Sequence, residues 1–337
     1  MSDGTRDHRL QFYIGGHWVN PAAALKTFSV VEPANERAVA EVAAGSAPDV
    51  DAAVRAAHEA FPAFSQTSRE ERLELLRALL AAYQRRSKEI AAAMTTEVGI
   101  PLTFSEKVQA RIGEWHLEQM IKVLETYQFE EQWGTTRIVR EPVGVCALIT
   151  PWNWPMNQVM VKVAPALAAG CTMVLKPSQY SPLSTLIFAE CVEEAGVPRG
   201  VFNLVNGAGS ALGGLLASHP LVDMVSVTAS TPVGAATARA AADSVKRVSQ
   251  ELGGKSANII LDDVVDVEKV VKNGVKACMR NSGQSCNAPT RMFVAGSIYE
   301  QAVAVAAAWP TSWWWAIPGL PRPSWGRWRA RSSTTRC

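Results

Sequence analysis

From Gly144 onward, short apolar runs alternate with helical ones, and this alternation constrains the fold more than any other feature of the chain. VGVCALITPWN leads into a helical run through Met160 and Ala169, then CTMVLKPS, a helix over 182–194, and GVFNLVNG. A helix over 211–218, the strand MVSVTAS, a helix after Val233 and the strand RVSQEL complete the series. Parallel strands are buried on both faces and joined by covering helices, so the pattern predicts an α/β fold built on a doubly wound parallel sheet. Such a sheet is a nucleotide-binding domain.

The rest of the chain attaches to that core. Gln11 to Asn20 reads as a hairpin around Gly15 and Gly16. Residues 49–64 and 68–97 carry apolar side chains at helical spacing, the second run opened by Ser68 and Glu71 as a capping box. A further helix is expected from Thr103 to Leu124. TTRIVR, over 135–140, alternates as a strand suited to a sheet edge or to pairing with another subunit, which makes 127–143 a candidate oligomerisation segment. After Glu251 a new unit starts, with SANIILDD as a buried strand and a helix over 265–280 that delivers GQSC. The expected division is 1–251 for the nucleotide-binding domain and 252–305 for the first part of a catalytic domain.

Charge and cysteine usage narrow the partners. Residues 301–337 hold five Arg and no Asp, Glu or Lys, so the body carries 28 basic and 31 acidic residues, a balance of −3. No basic stripe is offered to nucleic acid. The six cysteines show neither a CxxC pair nor zinc-like spacing, which argues against disulfides and a metal and for a reducing cytoplasm. The N-terminus MSDGTRDHRL has no apolar core of signal-peptide length, and no stretch approaches the apolar length of a membrane span. The five histidines share no motif and are not expected to act as bases or ligands.

Cys286 stands apart from the other thiols. It lies in GQSCNAPTR, among small and polar residues, where a thiolate is solvated and reachable; most cysteines are inert packing residues. PWN, KPS, NGAG and TAST all fall at carboxyl ends of predicted strands, where a doubly wound sheet binds dinucleotides. NGAGSALGG lacks strict GxGxxG spacing and is weak alone. PWNWP, LKPS, VTASTPVG, QELGGKS and GQSCNAPTR, in this order, resemble the aldehyde dehydrogenase superfamily from about Gln11 to Tyr299.

The resemblance implies oxidation of an aldehyde by NAD or NADP through a cysteine thioester, in a homodimer or homotetramer. Cys286 matches the nucleophile, Glu251 the general base and Asn153 the oxyanion donor. Lys176 matches the ribose-binding lysine, and Ser230 the hydroxyl that meets the pyrophosphate at a helix N-terminus. Ile149, Thr150, Trp152, Ser178, Gln179, Gly209, Ala229, Val233, Gly234 and Leu252 fall at the remaining cofactor positions. Three residues depart from the family pattern: Gln179 stands for the usual Glu, which leaves NADP open beside NAD, Ala229 for Gly, and Val227 for Phe.

Beyond Val305 the texture changes. Six of the eleven tryptophans and four prolines crowd into a stretch without period. Tryptophan has the single codon TGG, and with synonymous codons chosen for the other residues AWPTSWWWAIP read one base earlier becomes LADELVVGDP, so 306–337 is expected to be a frameshifted tail; a Trp/Arg interaction tail is the alternative. No segment resembles the family's EEIFGPV motif, so the catalytic domain is expected to be incomplete. A non-catalytic nucleotide-binding or assembly-only protein is therefore the rival reading. A CoA-acylating relative fits less well, because such enzymes lack the carboxylate that Glu251 matches.

Overall fold

The computed structural model describes residues 7–207 and 211–308. Its core is a seven-stranded sheet in the order β11–β10–β7–β8–β9–β1–β2. The five parallel members are β7 (Val145–Ile149), β8 (Thr172–Lys176), β9 (Phe202–Leu204), β10 (Met224–Thr228) and β11 (Arg247–Glu251). The predicted hairpin, β1 (Phe12–Ile14) and β2 (His17–Val19), does more than pack: it extends the sheet antiparallel beyond β9.

Strand pleating sorts the core into two layers. Cys146, Leu148, Met173 and Leu175 face one cluster, with side chains from α2 (Arg69–Val98), α4 (Arg111–Thr126), α5 (Pro155–Ala169) and α6 (Leu183–Glu194). Val145, Ala147, Ile149 and Val174 face the other, against α1 (Ala47–Phe64) and α7 (Ala211–Ser218). Every residue of β7 and β8 is buried, as a parallel strand covered on both sides requires. α2 begins at the expected capping box, where Glu71 N–H donates to Ser68 Oγ at 3.1 Å and Ser68 N–H donates to Glu71 Oε2 at 2.6 Å. It ends at Gly99, whose φ of +78° suits glycine.

Three features differ from expectation. Thr27–Glu32 (β3) and Arg37–Ala43 (β4) form an antiparallel pair in a stretch with no predicted element. The predicted strand at 135–140 is β6 (Thr136–Val139), and it pairs with Glu130–Trp133 (β5) as a separate hairpin. The helix expected from Thr103 is α3 (Leu102–Phe104), a π-helical turn over Ser105–Ala110, and then α4.

The main sheet ends at Glu251. A separate two-stranded parallel sheet joins β12 (Ala257–Ile260) to β13 (Arg291–Val294), packed on α9 (Val267–Met279) and α10 (Tyr299–Ala308) around Ile260, Val271 and Ala302. α8 (Thr231–Ala242) links β10 to β11.

Candidate active site

The strand order reverses between β7 and β10, the position that forms the ligand crevice of an open α/β sheet. β7 and β10 are neighbours, yet the chain proceeds from β7 to β8 on one side and from β10 to β11 on the other. The loops leaving their carboxyl ends diverge, which is where open α/β sheets bind ligands. Ile149, at the end of β7, is in register with Lys176 on one flank and Val227 on the other. Thr150 N–H donates to Lys176 O at 3.2 Å.

On the β10 side, Ala229, Ser230, Val233, Gly234 and Leu252 form one corner. Ser230 caps α8 with extended backbone and makes no side-chain cap bond, which leaves its hydroxyl and first-turn N–H groups for an anion. Ala229 N–H donates to Glu251 O at 3.0 Å. Gly234 packs so closely on Leu252 that a Cβ there would lie 2.5 Å from the leucine side chain.

On the β8 side, the Lys176 side chain is only 6% exposed as a residue and donates to Pro177 O at 2.9 Å. Burial pushes its amine down to about 8. Ser178 Oγ accepts from Tyr180 N–H at 3.2 Å, and Trp152 and Gln179 lie half-buried at the loop mouths. Gly209 lies outside the described residues. Two buried groups at these strand ends have no hydrogen-bond partner among the described residues: Thr228 Oγ1 at the end of β10 and the Asn206 amide after β9. Buried polar atoms are normally paired. The orphans, the buried lysine and the open N-terminus of α8 fit a dinucleotide.

The cysteine loop reaches this crevice from the second unit. After α9, Asn281, Ser282 and Gly283 take φ of +56°, +58° and +72° in succession. Left-handed backbone costs a non-glycine residue roughly 1–2 kcal/mol, so surrounding contacts must impose it. Asn153 Nδ2 donates to Gln284 O at 2.9 Å, and Trp154 Nε1 to Ser285 Oγ at 2.7 Å. These bonds tie the strand-end PWN segment to the residues just before Cys286. Gly254 completes the junction, because a Cβ there would sit 2.9 Å from Cys286 O. The structure thus brings together Asn153, the Cys286 loop and the turn after Glu251. Cys286 and Glu251 are both exposed.

The remaining described thiols are less available. Burial pushes Cys191 up to about 12 and raises Cys278. Cys146 on β7 and Cys171 just before β8 are both buried. Among the described residues no group of three or more His, Cys, Asp and Glu is placed to hold a metal.

Sequence reading missed Lys162. It is buried on α5, donates to Ser226 Oγ at 2.9 Å, and is held at about 8 by burial, partly offset by the Glu251 carboxylate. A lone cation inside the apolar run MVKVAP was the available signal.

A doubly wound sheet with a cysteine loop lodged at its switch point defines a dinucleotide-type α/β protein carrying an accessible thiol. The chain belongs to the aldehyde dehydrogenase family, which it matches over residues 18–312. It is 54% identical over 290 residues to 3-succinoylsemialdehyde-pyridine dehydrogenase of a Pseudomonas species, covering 86% of this chain and 60% of that relative. The chain therefore spans about 60% of the length of this curated relative. Aldehyde dehydrogenase C of Pseudomonas syringae, solved as a mutant with NAD+ and octanal, superposes with a TM-score of 0.95 at 46% identity, covering 98% of this chain and 68% of that one. An NADP-dependent enzyme of E. coli gives 0.89 at 32% identity, covering 95% and 67%.

The family match reaches 312 and α10 reaches Ala308. Residues 309–337 lie outside the described residues.

Proposed function

We propose that this site oxidises an aldehyde to the carboxylic acid with NAD or NADP. The carrying observation is the Asn153 amide bonded to Gln284 O, two residues before the exposed Cys286, at the switch point of a dinucleotide-type sheet. The Cys286 thiolate attacks the aldehyde carbon and forms a C–S bond, leaving a tetrahedral oxyanion. An amide nitrogen carries two N–H groups, so Asn153 has one for Gln284 O and one for that oxyanion; the Cys286 backbone N–H is the second donor. Lys176, Ser230 and the α8 N-terminus would hold a nicotinamide dinucleotide, which would supply the hydride acceptor. Loss of hydride breaks the C–H bond and leaves an acyl thioester on Cys286. Glu251 takes a proton from water as the water oxygen attacks the thioester carbon; the C–S bond breaks, releasing the carboxylic acid and the Cys286 thiolate.

The cytoplasm suits five described cysteines that are all free. No helix among the described residues is long and apolar enough to cross a membrane. The β5–β6 hairpin, with Trp133 and Val139 exposed outside the main sheet, is the assembly segment of a homodimer or homotetramer. Residues 1–251 constitute the dinucleotide domain, 252–305 the start of the catalytic one and 306–337 a tail. The solvent exposure of both Cys286 and Glu251 favours a second reading, a dinucleotide-binding protein without turnover, because oxyanion stabilisation needs a site shielded from water.

Reduced-nicotinamide absorbance with octanal and a pyridine-bearing semialdehyde separates the two. Turnover abolished by Cys286→Ala supports aldehyde oxidation. Dinucleotide binding without aldehyde-dependent reduction establishes the second reading.

A further inference from the structure

Two buried amides with no part in the proposed chemistry are wired to the loop that carries Cys286. Gln109 sits in the π-helical turn, fully buried, and its Nε2 donates to Asn153 O at 3.2 Å and to Asn281 Oδ1 at 2.9 Å. Asn281 is 5% exposed, and its Nδ2 donates to Asn153 O at 2.9 Å and to Gln284 O at 3.2 Å. The Asn153 amide closes the ring on the same Gln284 oxygen. Three amides from three separate elements thus converge on one strand end and one loop.

Two further details show what this ring does. Asn281 and Ser282 hold left-handed backbone, which persists only where neighbours over-determine it, and asparagine is among the residues that tolerate it. Gln109 keeps a buried Oε1 with no partner among the described residues. An apolar side chain would avoid that unpaired oxygen, so the position is explained by what Nε2 donates. π-turns recur at functional sites because the extra residue re-aims a side chain.

We infer that Gln109 and Asn281 form an amide clamp that sets the register of Cys286 against Asn153, nucleophile against oxyanion donor. The inference rests on the reading of those two residues given above. Gln109 and Asn281 are positioning residues, acting through the backbone of Asn153 and Gln284.

The test is the rate constant for alkylation of Cys286 by iodoacetamide, followed by peptide mass, in the chain and in Gln109→Met, Asn281→Gly and the double variant. Methionine keeps the length without the donor, and glycine keeps the left-handed backbone without the amide. Each single change should slow alkylation about tenfold by displacing the loop. The double variant should fall no further than the slower single, because both act on one ring. Amide hydrogen exchange over Gln284–Cys286 should accelerate in each variant while exchange over Val145–Ile149 stays unchanged. Unchanged alkylation in both singles, additive losses, or equal acceleration in β7 would overturn the clamp. If Cys286 of the unaltered chain reacts no faster than N-acetylcysteine, the nucleophile reading fails and the clamp with it.

Discussion

Single residues at the crevice carry its electrostatics, and Lys176 is the sharpest case. Desolvation by the strand end holds its amine at about 8 against an ordinary 10.5. Between those values the unfolded chain binds a proton that the folded chain does not, so stability rises with pH across that window, by at most roughly 3 kcal/mol. Below about pH 8 both states hold the proton and the burial penalty is present in full. Thermal unfolding from pH 7.5 to 10.5, run beside Lys176→Met, should show the unaltered chain gaining on the variant as pH rises; parallel curves would refute the depressed lysine. Cys286 and Asn153 were legible at this scale because their neighbours in sequence mark them. Gln109 was not, since its partners lie 44 and 172 positions away and nothing local distinguishes it from any helical glutamine.

Among the elements, α6 depends on a carboxylate from another helix. The residue before it, Pro182, supplies no side-chain cap, and Glu97 in the last turn of α2 takes that role. Leu183 N–H donates to Glu97 Oε2 at 2.6 Å, Ser184 N–H to Oε1 at 3.2 Å, and Ser184 Oγ to Oε1 at 2.5 Å. A buried anion bonded to open N–H groups at a helix start complements the dipole and fixes the KPSQ loop just upstream. Glu97→Ala should cost about 3 kcal/mol in urea unfolding, and Glu97→Gln less because one acceptor oxygen remains. A loss under about 0.5 kcal/mol for Glu97→Ala would contradict the cap. Helices α1 and α2 were readable from periodicity and from the Ser68 and Glu71 box. β3 and β4 were not: Arg37, Ala38, Ala40, Glu41 and Ala43 have weak strand preference, and a bulge at Val30 and Val31 breaks the alternation.

Across the whole molecule, the two units differ in how well they cover themselves. The central strands β7, β8 and β9 of the main sheet are buried throughout, whereas the β12–β13 sheet leaves Ile259 68% and Phe293 51% exposed on one side. A parallel pair ordinarily has both faces covered. The doubly wound topology was legible because buried parallel strands write continuous apolar runs. The meeting of the two units at Asn153 and Gln284 was not, because it joins segments 131 positions apart. The nucleophilic role of Cys286 at that meeting point is the claim on which the account stands. Its most direct test is peptide mass spectrometry of the Glu251→Gln variant, quenched after incubation with octanal and NAD+, where loss of the carboxylate proposed to activate water should let the thioester accumulate. The account requires an octanoyl group on Cys286, dependent on both reagents. An acyl group on another residue, or none on any, would contradict it.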